Sequence, residues 1–252
     1  MDTETVNAWD HAGLYGELAR WWPLVSPPHE YVGEAAYAEG LLASHTPAVR
    51  TVLELGSGGG CMAHHLSRRF AMTLVDVSPG MLAASRRLNP GVAHLPGDMR
   101  TVRLGRRFDA VFIHDAIDYM RTPQDLRAAL RTARAHLAPG GLVLVMPDHT
   151  AERFVPDTDH GGVDGDGGEG VRYLVWNWDP DPSDQECRME FAFVVREAGG
   201  AVRVVLDRHV LGLFPRDEWM RALGDAGFDA RSLIEETDEP RVPREVFMGV
   251  AR

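Results

Sequence analysis

The stretch Thr51-Val52-Leu53-Glu54-Leu55-Gly56-Ser57-Gly58-Gly59-Gly60 decides the architecture of this chain. Its first half is a short apolar run, the composition of a strand covered on both faces. Its second half is a turn that glycine tolerates best, because glycine adopts positive φ without a Cβ penalty. The residues after it open a helix, whose first amides have no partner within the helix and stay available to a ligand. Several ligand-binding α/β folds share such a turn, so the turn alone does not choose among them.

The pattern repeats outward from this point. Apolar runs at 72–77 (MTLVDV), 109–113 (DAVFI) and 142–146 (LVLVM) alternate with helical stretches, as in a parallel sheet with helices on both faces. Ser78-Pro79 and Thr122-Pro123 are N-caps followed by proline at the first helical position. Leu126, Ala129, Leu130, Ala133 and Leu137 fall on one helical face, and Pro139-Gly140-Gly141 ends that helix. After Met146 the alternation stops. Residues 148–170 read as an acidic, glycine-rich loop, followed by antiparallel strands at 171–178, 187–197 and 201–213, the last two joined at Gly199-Gly200. A helix with Trp219, Met220, Leu223 and Ala226 and two closing strands, 228–235 and 245–251, complete the chain. Upstream, residues 9–45 read as helix with Trp9, Tyr15, Leu18, Trp21 and Trp22 as apolar positions, interrupted at Pro23, Pro27 and Pro28.

The expected fold is α/β: a Rossmann-like, mostly parallel sheet of seven strands with helices on both faces and an inserted antiparallel β cap. The expected division is 1–45 as an N-terminal helical lid, 46–147 as the core, 148–214 as the cap with its acidic loop, and 215–252 as the last helix and closing strands.

Composition narrows the function. The formal charge of −11 argues against a nucleic-acid partner, whose phosphates call for basic patches. No apolar run is long enough to span a membrane. The first residues, MDTETVNAWD, carry acids where a secretory signal carries bases, and Cys61 and Cys187 are the only cysteines. The expectation is a cytoplasmic protein without disulfides or a cysteine zinc site. All 26 basic residues are arginine, which excludes Schiff-base chemistry on lysine.

Two further carboxylates complete a constellation. Asp76 lies 22 residues after Glu54, at the end of the second strand, where it can accept both hydroxyls of a ribose. Asp98 lies another 22 residues on, after the third strand, where it can accept from an adenine amine. Met81 and Met99 suit either the core or the two faces of that ring. A dinucleotide reading leaves Asp98 without a role. In motif order this set resembles the class I methyltransferases that use S-adenosylmethionine (SAM). The resemblance implies that Glu54, Gly56, Gly58 and Gly60 hold the amino-acid part of SAM, that Asp76 and its neighbour Val77 meet the ribose side, and that Met81, Asp98 and Met99 meet the adenine. His114, after the fourth strand, falls where the family's loop faces both cofactor and acceptor. The Asp10–Tyr15 start, residues 97–111 (GDMRTVRLGRRFDAV) and the inserted strands before Leu213-Phe214 resemble, more narrowly, the N,N-dimethyltransferases of nucleotide-linked amino sugars. The long acidic cap loop and residues 114–118 (HDAID) depart from that pattern.

On the acceptor side, His114, Asp115, Asp148 and His149 fall at the carboxyl ends of strands, where ligands of open α/β sheets bind; Asp159 and His160 fall in the cap loop. His114, His149 and Tyr15 are the candidate catalytic residues, as base, base and lid hydroxyl. Between 148 and 190 there are 12 acids against three arginines, a bias toward a cationic acceptor or simply a solvated loop. The expected activity is methyl transfer to N or O of a small metabolite, an amine or a sugar of secondary metabolism. Asp148, His149, Asp159 and His160 keep a second reading open, metal-assisted methylation of a diol or 2-oxo acid; the primary reading has no metal. A third is a protein that binds SAM without transferring methyl. A homodimer is compatible with all three.

Overall fold

The computed structural model describes residues 13–236 and 241–252. Trp9 and Asp10 of the sequence reading therefore lie outside the described residues, as do residues 237–240.

Seven strands form the main sheet: β1 (Thr51–Leu55), β2 (Ala71–Asp76), β3 (Ala93–Pro96), β4 (Phe108–Ile113), β5 (Leu137–Val145), β10 (Phe228–Ile234) and β11 (Glu245–Ala251), in the order β10-β11-β5-β4-β1-β2-β3. Strand β11 runs antiparallel to both β5 and β10; the other pairings are parallel. Side-chain alternation divides the core. Leu53, Val111, Ile113, Val143 and Val145 point to one face, where α5 (Pro123–Ala135) and α6 (Arg216–Asp225) add Leu126, Leu130, Trp219 and Leu223. Val52, Leu74, Ala110, Phe112 and Leu144 point to the other, against α2 (Val32–Ala43) and α3 (Cys61–Leu66). Each fully buried leucine or valine contributes about 1.5–3 kcal/mol relative to exposure. Helix α4 (Pro79–Leu88) and α5 start as the sequence predicts, Ser78 Oγ accepting from Met81 N and Thr122 Oγ1 from Asp125 N, each at 3.1 Å. One boundary differs: Leu137 already belongs to β5, because α5 ends at Ala135.

The cap is a four-stranded antiparallel meander, β6 (Asp157–Gly161), β7 (Gly170–Trp178), β8 (Glu186–Arg196) and β9 (Val202–Gly212). Strand β6 replaces part of the expected loop. Its sequence, DTDHG, lacks strand residues, and pairing with β7 supplies what propensity does not. The segment Gly13–Val25, which includes the short helix α1 (Trp22–Val25), lies under this sheet. Leu14, Leu18, Trp21 and Val25 are buried there against Val171, Phe193 and Val195. Tyr15 O also accepts from Ser78 Oγ at 2.6 Å, tying the segment to the start of α4.

Candidate active site

The carboxyl ends of β1, β2 and β4 open on a cavity of about 290 Å³. Glu54, Gly56, Gly58, Asp76, Val77, Met81, Met99 and His114 line it, as the sequence reading expects. Gly56 and Gly58 have φ of +73° and +51°, the left-handed region that favours glycine. The amides of Gly56 and Ser57 donate to Val75 O at 2.8 and 3.0 Å, which binds the turn to β2. Asp76 closes the same turn: Gly58 N donates to its Oδ2 at 2.7 Å and Ser78 N to its Oδ1 at 2.8 Å. Burial raises the Asp76 pKa, and those two amides work against the rise.

Glu54 is the most unusual group here. It is 2% exposed, and Oε2 has no hydrogen-bond partner among the described residues. Burial pushes its carboxyl up to about 8. The nearby Ser57 Oγ is also buried with no partner among the described residues. A buried carboxyl and hydroxyl left open beside a glycine turn fit the ammonium and carboxylate of an amino-acid moiety. Met81 and Met99, 1% and 5% exposed, supply an apolar slot for a flat ring. These residues fit SAM.

Two expected residues stand elsewhere. The Asp98 carboxylate is held by Arg100, with Nη2 at 2.7 Å from Oδ2, and Arg100 is held in turn by Asp125 at 2.9 Å. Its neighbours Gly97 and Met99 line the cavity, whereas the Asp98 carboxylate is turned to Arg100. The guanidinium two residues on competes with any ligand for that carboxylate. Gly60 joins helices rather than touching the cavity; a Cβ there would come within 2.2 Å of Ser85 Oγ on α4. Gly59 is the glycine the sequence reading passed over. It lines the cavity, and a Cβ on it would lie 2.0 Å from the Trp22 ring. The aromatic spacing marked Trp22 as lid, but nothing in the sequence joins it to Gly59.

His114 is 4% exposed and enclosed by charge. Its Nε2 lies 3.0 Å from Glu34 Oε2 and 3.0 Å from Arg244 Nη1, and its Nδ1 lies 3.5 Å from Asp115 Oδ1. Burial acts to depress its pKa, but Asp115 and Glu34 prevail and lift it to about 10. The imidazolium then donates from Nε2 to Glu34, and the Arg244 guanidinium beside that nitrogen is held by Glu34 Oε1 and Asp148 rather than by the ring. Burial pushes Glu34 up, whereas His114, Arg244 and Arg241 hold it well below the usual carboxylate range. Arg244 binds Glu34 Oε1 at 2.5 Å and Asp148 Oδ1 at 2.7 Å. A histidine held in its charged form is not a base at neutral pH. Neither Glu34 nor Arg244 is among the sequence candidates: Glu34 shares a buried helical face with Ala38 and Leu42, a signal that could have marked it, whereas Arg244, at the mouth of the last strand, carries none.

Beyond the cofactor cavity a second one, of about 420 Å³, lies between the sheet edge and the cap. Tyr15, Trp22, Asp115 and Tyr119 line both and form the partition. Tyr119 OH donates to Tyr15 OH at 2.8 Å, and burial raises both phenol pKa values, so both stay protonated. His149, Asp148 and Asp159 line the second cavity; His160 does not. Burial depresses the His149 pKa, leaving a neutral imidazole. Among the described residues no group of three or more His, Cys, Asp or Glu is placed to hold a metal ion, and Asp148 is committed to Arg244.

The sheet order, the glycine turn beside an open buried carboxyl, and the second cavity under a cap define a class I SAM-dependent methyltransferase with a small-molecule acceptor. Residues 52–141 match the methyltransferase-domain family. The chain is 30% identical to dTDP-3-amino-3,4,6-trideoxy-alpha-D-glucopyranose N,N-dimethyltransferase of Streptomyces venezuelae, over 96% of this chain and 98% of that one. It is also 30% identical to dTDP-3-amino-3,6-dideoxy-alpha-D-glucopyranose N,N-dimethyltransferase of Streptomyces fradiae, over 90% and 89%. The structure of DesVI from Streptomyces venezuelae superposes with a TM-score of 0.77 at 30% identity, covering 88% of this chain and 92% of that one. The SAM-bound amino pentose methyltransferase CalS10 of Micromonospora echinaspora gives 0.71 at 29%, covering 87% and 90%. The chain belongs to the family of SAM-dependent sugar N,N-dimethyltransferases.

Proposed function

We propose that this enzyme methylates the amino group of an amino sugar. The observation that carries the reading is the partition itself: the second cavity meets the cofactor cavity at Tyr15, Trp22, Asp115 and Tyr119. An acceptor there faces the cofactor directly, with carboxylates on its own side. When bound, SAM supplies an electrophilic methyl on a sulfonium. Glu54 and Ser57 would hold its amino-acid end, Asp76 its ribose hydroxyls, and Met81 and Met99 its adenine. In-line transfer forms the N–C bond as the C–S bond breaks, so these contacts contribute by alignment. Asp115 and Asp159, which line that cavity, attract the acceptor as an ammonium. The proton it must lose before attack can pass to His149, the neutral imidazole of that cavity.

The relatives named above are enzymes for dTDP-linked amino sugars, which makes a nucleotide-linked amino sugar the first acceptor to try. A cytoplasmic location suits an enzyme that draws on SAM and keeps Cys61 and Cys187 as buried free thiols. The test is incubation with SAM and a dTDP-linked 3-amino sugar, with and without EDTA, followed by mass spectrometry. The expected result is two successive methylations at nitrogen, unaffected by the chelator. Methylation at oxygen alone, or activity that needs an added divalent ion, overturns the reading.

A further inference from the structure

The hydrogen-bonded pair at the partition continues into the cap. Tyr119, on the turn after β4, meets His209 Nδ1 of β9 at 2.5 Å. His209 Nε2 lies 3.0 Å from Asp207 Oδ2, and the same oxygen accepts from Leu14 N at 2.6 Å. His209 is fully buried, and its ring stands 5.3 Å from Tyr15, 5.7 Å from Tyr119 and 5.2 Å from Phe191. Four polar side chains from lid, core and cap are thereby joined in series: Asp207, His209, Tyr119, Tyr15. A histidine inside an apolar strand reads in sequence as filler, yet this one has a hydrogen-bonding group at both ring nitrogens.

The direction of the bonds gives the chain a consequence at the partition. Tyr119 donates to Tyr15, so its own oxygen accepts from His209 Nδ1–H, and with Nε2–H directed at the Asp207 carboxylate both ring nitrogens of His209 act as donors. Tyr15 receives one bond on its oxygen and keeps a second lone pair free to accept an N–H of the acceptor. An amine that donates N–H to a fixed oxygen has its lone pair directed away from that bond, toward the methyl group. Aim of this kind depends on the Tyr15 hydroxyl not turning, and an isolated phenol hydroxyl turns freely. Asp207 also places the lid, since a Cβ on Gly13 would lie 2.1 Å from its Oδ2 and only glycine permits the approach.

We propose that Asp207 and His209 are positioning residues for methyl transfer, fixing Tyr119 and through it the Tyr15 hydroxyl at the wall between the two cavities. The proposal rests on the reading of the second cavity as the acceptor site. Its test compares wild type, His209→Phe, His209→Asn, Tyr119→Phe and the double variant Tyr119→Phe/His209→Phe. Initial rates give kcat and KM, calorimetry gives SAM affinity, and thermal melts verify folding. Phe keeps the volume of the ring without its nitrogens; Asn keeps a donor near Nδ1. His209→Phe is expected to lower kcat on the order of ten-fold or more while SAM affinity stays within about two-fold, since sub-ångström alignment has effects of this size. His209→Asn should recover part of the loss. In the double variant the His209 change should cost little beyond Tyr119→Phe, because the two act through one hydrogen bond. Unchanged kcat in folded His209→Phe overturns the proposal, as do losses that multiply in the double variant. If His209→Phe does not fold, His209→Asn against Tyr119→Phe decides by the same comparison. Absence of methylation by the wild type with every amino sugar tried would strike at the acceptor reading instead.

Discussion

Glu54→Gln separates what the folded chain needs from what the cofactor needs. In the folded protein the Glu54 carboxyl keeps its proton up to about pH 8, against an ordinary value of 4.5. Between those values the unfolded chain has released the proton and the folded chain has not, so stability falls as pH rises. The slope is about 1.4 kcal/mol per pH unit. The accumulated cost is absent below about pH 4.5, reaches about 3 kcal/mol near pH 7, and is complete above about pH 8. Glutamine removes the ionisation but brings two buried N–H donors, which cost about 1–3 kcal/mol if unpaired. The net stability change near pH 7 is therefore small, and the pH dependence is the sharper readout. Urea unfolding at intervals from about pH 5 to pH 8 should show wild type losing ground to the variant by about 1.4 kcal/mol per unit. Other buried carboxyls, Asp76 and Asp118 among them, titrate in both proteins and cancel in the difference. Calorimetry should show SAM bound more weakly by about 1.5–3 kcal/mol, the value of a charge-assisted hydrogen bond. Parallel stability curves, or a SAM affinity equal to that of wild type, would refute the reasoning.

Two further outcomes follow from the same geometry. Asp76→Ala should weaken SAM by about 1–3 kcal/mol, since it removes the ribose acceptor and frees the Gly58 and Ser78 amides together; calorimetry measures it, and an unchanged dissociation constant places Asp76 off the ribose. His114, raised to about 10 by Asp115 and Glu34, contributes stability that is fully present below about pH 6.5 and is lost as pH rises through about 10. Its ring signals in NMR, assigned by comparison with His114→Asn, should not titrate between about pH 6 and pH 8, and an inflection in that window would return it to the role of a base.

The cofactor half of the site was legible because it is encoded in backbone conformation over a contiguous run. Gly56 and Gly58 need positive φ, Asp76 must stand at a strand end to hold two amides, and Met99 follows a strand of the same sheet. Periodicity and spacing report such features directly. Asp98 shows the limit: the spacing was right, but Arg100 and Asp125 decide where the carboxylate points. The cap was legible as antiparallel strands, and β6 was missed because a polar segment became a strand only through its partner β7.

The acceptor half is written differently. The residues proposed for it come from the N-terminal segment (Tyr15, Trp22), α2 (Glu34), the turn after β4 (Asp115, Tyr119), the start of the cap segment (Asp148, His149), β9 (Asp207, His209) and the last strand's approach (Arg244), and no local pattern links them. His114 illustrates the consequence. Its position beyond β4 was readable, but its charge is set by Glu34, far earlier in the chain, and by Asp115 beside it. A sequence places the imidazole; only the fold decides whether it holds its proton. Methyl transfer to an amine can bear a charged His114, because a sulfonium methyl is already electrophilic and the nucleophile needs aim more than activation. On the proposed reading, the ion pairs of Arg244 with Glu34 and Asp148 brace one side of the second cavity, and the bonds from Asp207 to Tyr15 brace its boundary with the cofactor cavity. On that reading both networks serve the direction of approach, the quantity on which an in-line displacement depends.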